Sequence, residues 1–204
     1  MMKVRFIGIT GGVGSGKSEL LRYIAKHYKC EIYLADEVAH LVKLPGTPCF
    51  HSLVELLGKE ILDKDGQIDK TAMADRIFSD EKCLEQVNEI VHPAVKEFLL
   101  ERYRQARENP DIELFFVEAA LLVEGGYGQI VDELWYVYAA EDVRRERLRR
   151  ARGYAPEKIE GIMNSQLSEE EFRRACDFVI DNSGSLEDSY RQINKKLEAF
   201  TWQE

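Results

Sequence analysis

The chain has 204 residues, of which 45% are hydrophobic and 32% are charged, a composition typical of a globular protein and not of a disordered one. Its formal net charge of −9 argues against a general nucleic-acid binder, because a protein that follows a phosphate backbone needs excess cations. The sequence contains no apolar run of about 18 residues, so we expect no membrane span.

Apolar runs alternate with helical patterns along the chain, which predicts a parallel sheet covered by helices. The predicted strands are residues 4–10, 31–35, 113–118, 134–139 and 178–181. The predicted helices are residues 17–28, 36–43, 48–57, 69–78, 81–91, 94–108, 141–152, 156–165, 168–176 and 185–200. The stretch between the second and third strands is too long for a simple crossover, and we interpret residues 44–108 as a helical insertion over the ligand edge of the sheet.

The segment 11–18 reads GGVGSGKS and fits the P-loop pattern GxxxxGK[ST] between a predicted strand and a predicted helix. Glycines let several backbone N–H groups converge on one phosphate, and the helix N-terminus adds partial positive charge. We expect Lys17 to reach the β- and γ-phosphates and Ser18 to hold Mg²⁺. A glycine-rich turn without a ligand is the alternative. The nucleotide-binding residues expected from the motif are Gly12, Val13, Gly14, Ser15, Gly16, Lys17 and Ser18.

Acidic residues follow two of the predicted strands, at the edge where open α/β sheets bind ligands. Asp36 is a candidate for accepting a proton from an acceptor hydroxyl, or for orienting that hydroxyl or a metal-bound water. A helix N-cap is its alternative role. Glu118 closes the third strand in the Walker-B position that holds Mg²⁺, with a solvent-facing acid as the alternative. Glu124 could serve the acceptor pocket instead.

Residues 144–152 contain six arginines in an otherwise acidic chain. A solvated helix face is the usual interpretation of a charge run. We favour a lid that closes on ATP phosphates, because guanidinium groups suit phosphate oxygens and phosphoryl transfer needs cations. On a helix, Arg147 and Arg150 share one face and Arg144 lies nearby, while Gly153 would allow a hinge.

Three local signals lie in the predicted helical regions. His92-Pro93 stands between two predicted helices, so the proline is expected to begin the second, and His92 is either a cap or packing residue or a catalyst. The segment 63–66 predicts a turn. Ser168, followed by three glutamates, predicts a helix N-cap.

The cysteines are dispersed, with no C-x-x-C spacing, at Cys30, Cys49, Cys83 and Cys176. The first predicted strand leaves no room for a signal peptide, so we expect reduced thiols and a cytoplasmic location. The sequence does not define an oligomeric state, and a monomer is the expectation.

Together these signals predict an α/β fold of the P-loop NTPase type. The expected architecture has three α/β/α layers, a parallel five-stranded sheet, a helical substrate-binding insertion and a small Arg-rich lid. The single P-loop domain would comprise a core of about residues 1–43, 109–140 and 177–204, the insertion at about 44–108 and the lid at about 141–176.

The order and spacing of several further segments give the chain a resemblance to the dephospho-coenzyme A kinase family over nearly its whole length. The segments that carry it are residues 8–18, Ala35-Asp36, Pro45-Gly46, 66–69, 76–78, Asn88, 91–93, 121–124, Arg147-Leu148, Gln166 and 177–184.

The resemblance implies a P-loop core with a helical CoA-binding region and a lid, and ATP-dependent phosphorylation of the ribose 3′-hydroxyl of dephospho-CoA. It implies Asp36 as general base, Lys17 and Arg147 as further catalytic residues, and Ser18 as a ligand of Mg²⁺. Our own hypothesis is that Glu118 is the carboxylate on the metal, in place of the family acid that is missing at Leu34. Asn182 and Gly184 would lie near the adenine of ATP. The substrate-binding residues implied are Asp36, Arg76, His92, Leu121 and Glu124.

The chain departs from the family pattern at four positions, where Leu34, His40, Ala120 and Ala151 replace an acid, an arginine, a proline and a lid arginine. Two other functions stay open. One is a related P-loop kinase for a nucleoside, a nucleotide or a small metabolite. The other is an ATP-binding regulatory protein without turnover.

Overall fold

The computed structural model describes residues 4–78 and 81–200. Its contacts divide the chain into two compact units. The core unit extends to Ile32 and resumes at Asn109, and the helical unit is Tyr33–Glu108. No helix in these described ranges is long and apolar enough to cross a bilayer.

The core unit is built around a parallel sheet with the strand order β2-β3-β1-β4-β5. Its strands are β1 (Arg5–Thr10), β2 (Cys30–Leu34), β3 (Leu114–Glu118), β4 (Glu133–Tyr138) and β5 (Phe178–Asp181). The predicted α/β class and all five predicted strands are confirmed, with ends that differ by at most one residue. The apolar runs form these strands because helices cover the sheet, so side chains such as Phe116 and Trp135 are fully buried.

The helices of the core unit lie between or after its strands along the chain. They are α1 (Lys17–His27), α6 (Glu141–Arg152), α7 (Pro156–Asn164), α8 (Glu169–Ala175) and α9 (Leu186–Glu198), with a short 3₁₀ turn at Tyr127–Gln129. Ser168 caps α8 as predicted, since its Oγ accepts a hydrogen bond from Glu171 N and the Glu171 carboxylate accepts one from Ser168 N. Gly153 ends α6 in a left-handed conformation.

The helical unit contains α2 (Ala35–Leu41), α3 (Pro48–Leu57), α4 (Lys70–Phe78) and α5 (Glu81–Glu108), with a 3₁₀ turn at Lys59–Ile61. The long helix α5 packs against the three shorter ones. The predicted turn at 63–66 is present, because Asp63 Oδ1 accepts hydrogen bonds from Asp65 N and Gln67 N.

The prediction of two helices that meet at His92-Pro93 is wrong, because α5 runs through both residues without a break. Pro93 therefore lies inside a helix and does not begin one. His92 is exposed on α5, so it is neither a cap nor a packing residue. Apolar residues on both sides of the proline are buried in the same unit, and this packing outweighs the hydrogen bond that proline removes.

Candidate active site

The P-loop connects the end of β1 to the start of α1. Gly16 is the N-cap of α1, with φ +94° and no side-chain cap bond, so the first N–H groups of the helix have no side-chain acceptor there. A Cβ at Gly16 would collide with the side-chain nitrogen of Asn182, and Gly14 also has a positive φ of +85°. Only glycine fits these two positions without strain. The loop thus presents backbone donors at a helix N-terminus, which suits an anion.

Ser15 lies in the middle of this loop and is almost completely buried. Its Oγ has no hydrogen-bond partner within the described ranges. A buried hydroxyl without a partner is costly unless a ligand supplies one. The orphaned hydroxyl therefore fits a site that receives a polar group such as a phosphate.

Lys17 and Glu118 are brought together at the carboxyl ends of β1 and β3. Lys17 Nζ donates a hydrogen bond of 2.6 Å to the carbonyl oxygen of Gly11 and lies 3.5 Å from Glu118 Oε1. Their side chains are only 12% and 21% exposed. The sheet register explains this meeting, since Ile9 is paired with Glu118 on the neighbouring strand.

Oxygen donors that could hold a hard cation are present beside Lys17. Ser18 is exposed in the first turn of α1, and Glu118 ends β3. The described residues contain no group of three or more His, Cys, Asp or Glu that could hold a metal by themselves. Mg²⁺ commonly takes only one or two protein oxygens and completes its shell with phosphate oxygens and water, so this donor set fits it.

Arg147 and Asn182 both donate hydrogen bonds to one backbone oxygen of the P-loop, that of Ser15. Arg147 Nη1 donates to the carbonyl oxygen of Ser15 at 3.1 Å, and Asn182 Nδ2 donates to the same oxygen at 2.7 Å. Arg147 also donates to the carbonyl oxygen of Asn182 at 2.8 Å, and the Asn182 Oδ1 accepts from Ser189 Oγ. The predicted residue Arg147 therefore contacts the loop backbone directly.

Arg144 reaches the other end of the P-loop, where the sequence only indicated that it lies near Arg147. Its Nε donates to the carbonyl oxygen of Val13 at 3.0 Å, and its Nη2 donates to Gln166 Oε1 at 2.5 Å. Burial lowers the pKa of its guanidinium, against the opposing effects of Tyr136 and Glu141. The signal that could have found Arg144 is its spacing of three residues from Arg147 on α6.

Most of the other arginines of this segment follow the alternative interpretation of a solvated face. Arg145 forms ion pairs with Glu141 and Glu160, whereas Arg149 and Arg150 both pair with Glu146. Arg150 lies three residues from Arg147 on α6, but its side chain is 78% exposed and pairs with Glu146.

The loop after β5 contains Asn182 and Gly184, both predicted near the adenine. The Asn182 side chain is buried, and its amide group bonds to the Ser15 carbonyl oxygen and to the Ser189 hydroxyl. In this structure it therefore holds the P-loop backbone in place. Gly184 is exposed just before α9. The adenine contact stays a prediction for this loop.

Leu121 and Glu124 lie in the turn that follows β3. Gly125 N donates to the carbonyl oxygen of Leu121 at 2.8 Å, which closes the turn, while Leu122 is fully buried and anchors it. The anchored turn leaves Leu121 60% exposed and Glu124 exposed, so both side chains are accessible to a ligand.

The remaining predicted residues belong to the helical unit. Asp36 is exposed in the first turn of α2, and Leu34 is the N-cap of that helix without a side-chain cap bond, so the N-cap alternative for Asp36 is wrong. Arg76 is exposed on α4 and His92 is exposed on α5. Their roles toward an acceptor stay predictions.

Comparisons of the sequence with known proteins agree on one family. A family model described as dephospho-CoA kinase matches residues 5–188. The dephospho-CoA kinase of Aquifex aeolicus is 36% identical over 195 residues, which cover 96% of this chain and 97% of that protein. The dephospho-CoA kinase of Carboxydothermus hydrogenoformans is 32% identical over 204 residues, which cover 100% and 98% of the two chains.

Solved structures share the fold over nearly the whole chain. TT1252 from Thermus thermophilus is 29% identical with a TM-score of 0.76, and the match covers 96% of this chain and 97% of that one. A dephospho-CoA kinase from Campylobacter jejuni has a TM-score of 0.69 at 21% identity and 95% coverage of both chains. A shikimate kinase from Acinetobacter baumannii, at 12% identity, has a TM-score of 0.52 and covers 100% of this chain and 97% of its own. The last two show the fold alone, which is that of P-loop kinases.

Proposed function

The chain belongs to the dephospho-CoA kinase family, and on that premise we propose that it transfers the γ-phosphoryl group of ATP to the ribose 3′-hydroxyl of dephospho-CoA. The observation that carries this proposal is the complete P-loop, in which Lys17 and the orphaned Ser15 hydroxyl lie at the N-terminus of α1. We propose a single kinase domain with the core, insertion and lid predicted above.

The charges of the core unit fit the donor side of phosphoryl transfer. Lys17 would move its hydrogen bond from the Gly11 carbonyl oxygen to the β- and γ-phosphate oxygens and stabilise the charge that develops there. Arg147 would hold the loop and contribute positive charge beside it. When bound through Ser18 and Glu118, Mg²⁺ would neutralise charge on the phosphate oxygens.

We assign the acceptor chemistry to Asp36. Its carboxylate would accept the proton of the 3′-hydroxyl while that oxygen bonds to the γ-phosphorus and the bond from phosphorus to the β,γ-bridging oxygen breaks. ADP and coenzyme A are the products. Arg76, His92, Leu121 and Glu124 would bind the acceptor, and the loop with Asn182 and Gly184 would bind the adenine of ATP.

We also propose a cytoplasmic monomer that acts on small molecules and binds neither nucleic acid nor membrane. The net charge of −9 and the four free cysteines support this proposal. Sedimentation equilibrium would measure the mass of the protein in solution, and a dimer mass would contradict the monomer.

The function is tested by ADP release with ATP and Mg²⁺ across dephospho-CoA, nucleosides and nucleoside monophosphates. We expect dephospho-CoA to be the one acceptor of this set that supports turnover. The product should be phosphorylated at the ribose 3′ position, which NMR identifies. Turnover with a nucleoside or nucleotide would indicate a related kinase instead. Tight ATP binding without transfer to any acceptor would indicate a regulatory protein.

The same assay tests the role of Asp36. Since loss of the base removes proton transfer and leaves the P-loop intact, Asp36→Asn should lower kcat about 100-fold or more and change the ATP KM little. Glu37→Gln, which removes the next exposed carboxylate of α2, is the matched control and should retain activity. Loss of ATP binding in Asp36→Asn would reassign this residue to the nucleotide.

A further inference from the structure

Two hydrogen-bond donors converge on one side-chain oxygen beside the P-loop. Gln166 Oε1 accepts from the backbone N–H of Val13 at 3.2 Å and from Arg144 Nη2 at 2.5 Å. One donor is a loop amide of the phosphate-binding motif and the other is a guanidinium. The oxygen that satisfies both is a neutral carboxamide, although a charged oxygen would form the stronger bond with each of them.

The surroundings of Arg144 leave its charge available. Arg145, Arg149 and Arg150 on the same helix pair with glutamates, whereas Arg144 has no carboxylate within ion-pair distance among the residues that the structure describes. Its guanidinium donates to the Val13 carbonyl oxygen and to Gln166 Oε1, and both acceptors are neutral. A half-buried cation held only by neutral oxygens is suited to an incoming anion.

The Arg144 guanidinium lies in direct contact with the P-loop backbone at Gly12. A Cβ built on Gly12 would overlap the Arg144 guanidinium, so the group lies directly against the first half of the P-loop. Arg147 contacts the second half of the loop, through the carbonyl oxygen of Ser15. In the next turn of this helix, position 151 is an alanine and Arg150 pairs with Glu146.

We propose that Arg144 is a further phosphate-binding residue of the donor site and that Gln166 Oε1 occupies the place of a phosphate oxygen until ATP binds. The proposal rests on the ATP site described under the proposed function. ATP would displace the Gln166 oxygen and accept the hydrogen bonds of Val13 N–H and Arg144. No covalent bond changes in this exchange.

The location of Gln166 makes this displacement inexpensive. It lies in the short connection between α7, which ends at Asn164, and α8, which is capped separately by Ser168. Its side chain can therefore turn away without breaking a helical hydrogen bond of either helix. Arg144 and Gln166 then have opposite effects on ATP affinity. Arg144 attracts the phosphate, whereas the Gln166 oxygen competes with it.

Equilibrium binding of ATP and of AMP, measured by calorimetry, tests this opposition in four variants. Arg144→Ala should raise the ATP Kd by about 10- to 100-fold, and Arg144→Lys should recover part of the loss. Gln166→Leu removes the competing oxygen at similar volume and should lower the ATP Kd by about 3-fold or more. Arg149→Ala is the control, since Arg149 is an exposed arginine of the same helix, and its ATP Kd should equal that of the wild type.

AMP and thermal unfolding separate phosphate binding from a structural role. AMP lacks the β- and γ-phosphates, so the AMP Kd should change much less than the ATP Kd in Arg144→Ala. A structural contact would instead lower Tm and weaken ATP and AMP alike in both Arg144→Ala and Gln166→Leu. That pattern, or an unchanged ATP Kd in Arg144→Ala, would overturn the proposal. Binding of ATP with these effects but without phosphorylation of dephospho-CoA would contradict only the proposed function.

Discussion

The Lys17 ammonium is positioned on the P-loop by contacts that include Gly11 and Glu118. It donates to the carbonyl oxygen of Gly11 and lies 3.5 Å from the Glu118 carboxylate, in a partly buried setting where charge interactions are screened less than on the surface. Glu118 can therefore have two roles, as the ion-pair partner of Lys17 and as a ligand of Mg²⁺. A neutral isostere distinguishes them.

Glu118→Gln should raise the Mg²⁺ concentration needed for half-maximal activity by about 10-fold, because a carboxylate ligand is replaced by a neutral amide. The measurement is turnover against Mg²⁺ at saturating ATP. Glu113→Gln, just before the same strand, is the control, since Glu113 pairs with Lys29 on the surface. An unchanged Mg²⁺ dependence with altered ATP affinity would assign Glu118 to Lys17 alone.

At the scale of elements, α5 shows how packing overrides a local breaker. Buried residues follow at intervals of four along the helix, at Val87, Val91, Val95 and Leu99. This stripe is continuous across Pro93, and the helix packs against α2, α3 and α4 along it. Proline removes one backbone N–H and restricts the residue before it, but burial of the stripe favours a single helix.

Pro93→Ala should therefore raise the free energy of unfolding by about 1–3 kcal/mol, because alanine restores the helical N–H and has the higher helix propensity. Urea unfolding followed by circular dichroism measures the change. Pro156→Ala is the matched control, since Pro156 stands in the first turn of α7, where proline is favourable, and its replacement should give no gain. A loss of stability in Pro93→Ala would show that the proline suits the local backbone.

At the scale of the whole molecule, folding determines the chemistry of the cysteines. All four are free, and none forms a disulfide. Burial, with a smaller effect from the neighbouring Glu31, raises the pKa of the Cys30 thiol to about 11. Burial, aided by Asp177, raises the pKa of the Cys176 thiol to about 11 as well. The folded chain therefore holds both thiols protonated near neutral pH.

Cys30 and Cys176 should react with iodoacetamide at pH 8 at least about 10-fold more slowly in the folded protein than in urea, because the thiolate is the reacting form. Since the raised pKa values lie near 11, the folded-state rates should keep rising as pH increases from 8 to 10. Peptide mass spectrometry measures each site separately. Equal rates in the folded and unfolded chain would contradict the assigned pKa shifts.

Much of the fold could be predicted from local pattern. The five strands, the P-loop and the Ser168 cap all depend on residues close together in sequence, and each is confirmed. Continuity of α5 and the ion pairing of Arg150 could not be predicted in this way. Pro93 is a reliable local breaker, and only the partners of α5 outweigh it. Arg150 has the right spacing from Arg147, but a nearer Glu146 takes its charge.

The sequence by itself determined an α/β fold with a P-loop, because the motif GGVGSGKS and the alternation of apolar runs are local and specific. The kinase family followed from the order and spacing of further segments, through their resemblance to known members. Only the tertiary structure decided which of the six clustered arginines serve the loop. Arg144 and Arg147 contact the P-loop backbone, and Arg145, Arg149 and Arg150 pair with glutamates. The physical reason is that a run of arginines in sequence does not show which side chains face the loop. A helix packed beside the loop presents only some of its side chains to it.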